Sequence, residues 1–100
     1  MDEFDRREDE LRREREKRVR RALKEIRDDT GVIGRHQEKI DASALRLANL
    51  PEEKRRETVE LWKRMADDAR VRLTAWIAEA MRAGASESEI RTAYHPTYKG

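Results

Sequence analysis

Residues 51–83, PEEKRRETVELWKRMADDARVRLTAWIAEAMRA, decide the fold. Pro51 stands where a helix begins, because the N–H it lacks would have no partner in the first turn. Glu52 and Glu53 follow, suited to the positive end of the helix dipole. Apolar residues then recur at helical spacing: Val59, Trp62, Met65, Ala66, Ala69, Leu73, Trp76, Ile77, Ala80 and Met81. Trp62 and Trp76 are two heptads apart and share a side. No glycine or proline interrupts the run before Gly84. A helix of this length spans roughly 50 Å.

Upstream, the sequence predicts a second helix over residues 32–48. Ile33, His36, Ile40, Ser43/Ala44, Leu47 and Leu50 alternate by three and four, the spacing of a packing seam. The tight Leu50-Pro51 turn then folds this helix back antiparallel on the third. Asp28-Asp29-Thr30-Gly31 reads as a stop and restart, with Gly31 as a C-terminal cap and Thr30 capping the next helix. The first helix is therefore expected over residues 2–29. It is rich in good helix formers, and opposite charges stand four apart at Glu3/Arg7, Glu8/Arg12, Asp9/Arg13, Glu14/Arg18 and Glu16/Arg20. Its apolar stripe is thin: Phe4, Leu11, Val19, Ala22, Leu23 and Ile26. The stretch up to Glu16 has little to bury and is expected to project or to touch a partner. Val19 to Ile26 should dock on the body.

Downstream, Gly84 ends the long helix. Ser86 and Glu89 form a capping box for a short helix over residues 87–94, which Pro96 stops. The tail, residues 95–100, is expected to be extended, either a docking peptide or a frayed end. The whole reads as all-α: one helical domain, an antiparallel hairpin or small bundle with a long charged N-terminal helix.

Composition narrows the function. Of the 100 residues, 46% are charged and 36% hydrophobic, against about 25% and 45–50% in an ordinary domain. One thin hairpin cannot cover such long apolar stripes, so a homodimer is expected. The net charge is only +2, which gives no whole-molecule basic field. Arginine outnumbers lysine 18 to 6, the bias of a GC-rich genome and of small phage or mobile-element proteins. The absence of cysteine excludes disulfides, thiolate metal sites and cysteine nucleophiles. No run approaches the roughly 18 apolar residues of a membrane span. The acidic start, MDEFDRREDE, lacks the apolar region of a signal peptide. A cytoplasmic protein without membrane contact is expected.

Residues 80–94, AMRAGASESEIRTAY, resemble the first two helices of a resolvase- or homeodomain-like helix-turn-helix. The matching residues are Ala83, Gly84, Ala85, Ser86, Glu89 and Ile90. The resemblance implies a DNA-binding module, which reads bases with the helix that follows. Here six residues follow Tyr94, one of them Pro96, so the recognition helix is missing. The plainer reading makes Gly84 and Ser86 caps and packs Ile90 and Tyr94 on the third helix.

Two surfaces are candidates for binding. One is a protein interface through Leu11, Trp62, Leu73, Trp76, Tyr94 and Tyr98. The tryptophans serve there as anchors in an interface or as core. The other is the locally basic window of Arg12, Arg13, Arg15, Arg18, Arg20, Arg21 and Lys24, set to lie along double-stranded DNA, to meet an acidic protein, or to remain a solvated helix. No aromatic residue interleaves the window, which argues against a single-strand stacking platform. Paired carboxylates such as Asp67-Asp68 sit on exposed helices rather than in a cleft, and Gly31-Val-Ile-Gly34 lacks the lysine and strand of a phosphate loop. His36 and His95 lack further ligands at metal-site spacing. The expectation is a small regulatory or adaptor protein with no catalytic residues, cofactor, metal or small-molecule substrate. A DNA-associated regulator is the competing expectation.

Overall fold

A computed structural model of the chain describes residues 3–100. Asp2, the expected first residue of the first helix, lies outside the described residues. Four helices follow in order: α1 (Glu3–Asp41), α2 (Ser43–Arg46), α3 (Glu52–Ala83) and α4 (Glu87–Ala93). No strand occurs among the described residues, so the chain is all-α. The molecule is a rod, 71 × 19 × 15 Å.

Helices α1 and α3 form the antiparallel hairpin. Arg18 meets Glu79, Asp29 meets Arg72, and Lys39 lies over Trp62, so positions rising along α1 fall along α3. The facing residues on α3 are Trp62, Ala66, Ala69, Leu73, Trp76, Ala80 and Ala83, spaced alternately by four and three. Ala66, Ala69, Ala80 and Ala83 are buried, as is Ala22 opposite. Such small side chains bring the two backbones close, and Ile26, Ile33 and Leu73 fill the space between.

The main departure from the sequence reading lies at Gly31. The first helix does not end there. It runs unbroken for 39 residues and absorbs most of the expected second helix. Gly31 and Gly34 both carry helical backbone, and both are buried. Their missing side chains make a notch, and the C-terminal tail fills it. A methyl group on Gly31 would stand 3.2 Å from the His95 ring. One on Gly34 would overlap the Thr97 side chain and come within 2.7 Å of its carbonyl carbon. A glycine at the end of a charged run reads locally as a cap. Here its use is close tertiary approach, and that offsets the roughly 1 kcal/mol each glycine costs a helix interior.

The tail is correspondingly not extended. The Tyr98 N–H donates to the His95 carbonyl at 2.9 Å, closing a turn over Pro96-Thr97. Thr30 does not cap a helix either. Its hydroxyl donates within α1 to the Ile26 carbonyl at 2.7 Å and accepts the His95 N–H at 2.8 Å. Tyr94 and Tyr98 meet edge to face at 5.1 Å and pack on the core.

Beyond Asp41 the chain makes only the single turn of α2. Leu47 is buried there, while Ala44, Leu45 and Leu50 are exposed. Pro51 immediately precedes α3, with Glu52 and Glu53 in its first turn. At the other end Gly84 adopts a left-handed conformation, φ 103°. Its N–H donates to Met81 and the Ala85 N–H to Ala80, a paired C-terminal cap that needs glycine.

Candidate interaction surfaces

The tail and α4 cover one groove of the α1–α3 hairpin. Lys99 and Gly100 border a small hollow there with Gly34, Gln37 and Arg70. Among the described residues, the other groove has no such cover. Arg21 and Lys39, eighteen residues or about five turns apart, share its α1 side, some 140° around the helix from Gly34. Each lies over a tryptophan: the Arg21 guanidinium is 5.6 Å from the Trp76 ring centre, and the Lys39 ammonium 5.9 Å from that of Trp62. Both rings remain half-buried. A cation over an aromatic face contributes about 0.5–1 kcal/mol at exposed sites, while the cation's stem shields the ring from water. Leu61 and Met65, one turn apart on the same side of α3, are exposed beside Trp62. The result is an apolar face with a basic edge.

Further along this groove, Arg18 donates to Glu79 at 3.2 Å and Arg82 donates to the same carboxylate at 3.0 Å. These hydrogen bonds, that from Arg82 first, hold the Glu79 carboxyl below its ordinary value, and the two positive charges act in the same direction. Trp76, Ala75, Arg21 and this Arg18–Glu79 pair surround an open hollow. Arg72 donates from Nε to Asp29 Oδ1 at 3.2 Å. The Asp29 side chain is only 8% exposed, and its Oδ2 has no hydrogen-bond partner among the described residues. Nothing in the sequence distinguished Asp29 from Asp28, which is exposed. His36 sits on the seam, where its Nδ1 donates to the Val32 carbonyl at 2.8 Å.

The expected interface residues are thus divided. Trp62 and Trp76 line the open face. Leu11 lies far from them in the projecting part of α1 and is 60% exposed. Leu73 is buried between the helices, and Tyr94 and Tyr98 are committed to packing on the core. Met65 was legible only as a member of the apolar run and Leu61 lay outside it, because their outward tilt depends on where α1 lies.

The basic window does not form one surface. At about 100° per residue, Arg13 and Arg15 point to nearly opposite sides of α1. Arg18 is paired with Glu79, Arg21 covers Trp76, and Lys24 lies 3.9 Å from Asp28. Arg12 meets Asp9 at 3.5 Å. Arg12, Arg15 and Arg20 rim a groove of about 490 Å³ where α1 leaves the body, with Val19, Leu23 and Ala83 lining its floor.

At the start of α4, the Ser86 hydroxyl accepts the Glu89 N–H at 3.1 Å and the Glu89 carboxylate accepts the Ser86 N–H at 3.0 Å. That backbone contact, together with the Ser86 side chain, lowers the Glu89 carboxyl from its usual range. Ile90 is buried in the core, and the chain after α4 returns to α1.

Among the described residues, no three His, Cys, Asp or Glu are grouped to hold a metal ion. No helix there is long and apolar enough to cross a membrane. No protein-family model matches the chain, and no curated protein or solved structure is significantly similar to it.

Proposed function

We propose that this chain is a cytoplasmic, non-enzymatic regulatory or adaptor protein that takes an amphipathic helix of another protein on its tryptophan face. The observation that carries this reading is the asymmetry of the hairpin. One groove is filled by the chain's own tail, while the other presents Trp62, Trp76, Leu61 and Met65 with no covering segment among the described residues. Two aromatic rings fourteen residues apart stand about 21 Å from each other along α3. A helix laid into the groove meets both, as hydrophobic anchors spaced by whole turns require. Tryptophan and arginine dominate the energetics of such contacts, because they bury large area and keep a polar edge. Arg21 and Lys39 favour acidic residues along the partner's margin.

Met65→Glu tests the reading without disturbing the core, since Met65 is exposed. A protein retained from the native host's extract by the parent chain should be lost by this variant and by Trp62→Ala, with helicity unchanged by circular dichroism. Retention of the same protein by both variants contradicts the reading. So does a shift of random duplex DNA in a gel, weakening steeply with salt, that Arg18→Glu with Arg21→Glu abolishes. That outcome supports the DNA-associated alternative instead.

A further inference from the structure

Among the described residues, the N-terminal part of α1 has no neighbouring helix on the hairpin. The chain's own Gly84 lies against Arg15, 3.6 Å from the Arg15 Cδ to a Cβ built at Gly84, so α3 ends opposite that point. Residues 3–14 continue alone for about 18 Å. They form an arm that carries two large apolar side chains, Phe4 at 68% and Leu11 at 60% exposure. Phe4 precedes buried Ala22 by eighteen residues, about five full turns, and Leu11 is two turns on from Phe4. Both therefore point along the side of α1 on which α3 lies further on.

The charge of the arm is divided along its length. Residues 3–10 carry five carboxylates and two arginines, whereas residues 12–18 carry five basic and two acidic side chains. Two such helices laid parallel set acid beside acid. Laid antiparallel, they set the acidic turns of each beside Arg12 and Arg15 of the other, and Phe4 of each against Leu11 of the other. The start of each arm then points at the C-terminal end of the other chain's α3, aligning the two helix dipoles head to tail.

We propose that the arm is a self-association surface, occupied by the arm of a second copy in antiparallel orientation, so that two rods join end over end. The groove behind the arm supports this arrangement. Val19, Leu23 and Ala83 provide an apolar floor under Arg12, Arg15 and Arg20, where an acidic helix start arrives. Four apolar side chains and a ring of exposed charges make a small contact. The pair is accordingly of the weak, transient kind and dissociates as ionic strength rises. This inference is independent of the tryptophan face, which stays open on both copies.

Light scattering on the full chain over a series reaching about 1 mM, the weak end of the affinity scale, reads the association directly. The apparent mass should rise from 11.9 kDa toward twice that value, and Phe4→Ser with Leu11→Ser should hold it at the monomer. Two charge variants make the test specific: Glu3→Lys/Asp5→Lys/Glu8→Lys, and Arg12→Glu/Arg15→Glu. Each alone should remain monomeric at every concentration, and an equimolar mixture should recover the doubled mass. A parent chain that stays monomeric throughout overturns the proposal. So does a mixture that associates no better than its components. Association lost with Trp76→Ala but kept with the arm variants also overturns it and assigns self-pairing to the tryptophan face.

Discussion

The Thr30 hydroxyl, in the middle of a 39-residue helix, accepts the backbone N–H of His95, 65 residues away, at 2.8 Å. The same hydroxyl is fully buried and donates to the Ile26 carbonyl. Thr30→Val keeps the shape and removes the acceptor, leaving a partly buried N–H without a partner. The expected loss is about 1–2 kcal/mol. Chemical denaturation measures it, and amide exchange at His95 should accelerate while exchange at Ile26 does not.

Gly34→Ala sets two effects against each other. Alanine favours helix by about 1 kcal/mol over glycine, but the new methyl occupies the space held by Thr97. Backbone cannot yield as a flexible side-chain end can, and overpacking costs about 1–3 kcal/mol. The tail should therefore leave the notch while α1 persists. In a spectrum of the variant, the Tyr94 and Tyr98 ring signals should lose the shifts their 5.1 Å edge-to-face contact imposes, with helicity unchanged.

The Asp29–Arg72 pair should behave asymmetrically. Arg72→Met leaves a buried carboxylate with neither oxygen paired, since Oδ2 already lacks a partner. The guanidinium is half-exposed, so solvent screening reduces the loss to about 1–3 kcal/mol. Adding Asp29→Leu removes the stranded charge, and the double variant should regain most of the stability. A double variant no more stable than Arg72→Met alone contradicts this account.

Acid should loosen both ends of the α3–α4 corner. The Glu79 and Glu89 carboxyls are held below the ordinary 4.5 by Arg82 with Arg18 and by the Ser86 backbone, respectively. A group depressed in the folded state stabilises it fully above its unfolded value and loses that contribution as the pH falls through its folded value. Stability should thus be level in this respect above about pH 5 and decline below 4.5. Glu79→Gln with Glu89→Gln should flatten that decline in a thermal-melting series.

Most of the hairpin was legible in local chemistry. Pro51, the two glutamates and Gly84 bounded α3 to within a residue, and Ser86 with Glu89 placed α4. These signals are carried by neighbouring residues, so sequence alone exposes them. Gly31 misled because its cause is 64 residues away, at His95. A glycine three residues before a second one, next to a threonine in an apolar helical pattern, was the available sign of a notch rather than a stop. The tryptophan face was half legible. The fourteen-residue spacing put Trp62 and Trp76 on one side, but that α4 and the tail would take the other groove depends on the turn at Pro96. Burial of Asp29 instead of Asp28 follows from the rotation of α1 against α3, which no local pattern fixes.

Helix α1 continues across Gly31 and Gly34, and the tail packs into their notch and protects it, which leaves the opposite, tryptophan-bearing groove as the open one. Carbon-13 chemical shifts of Arg27 to Gln37 in the full chain, with amide exchange, test this arrangement. Unbroken helical shifts through both glycines, with amides at Val32–Gly34 that exchange faster once residues 94–100 are removed, are the predicted result. Non-helical shifts at Gly31, or protection indifferent to the tail, would contradict it.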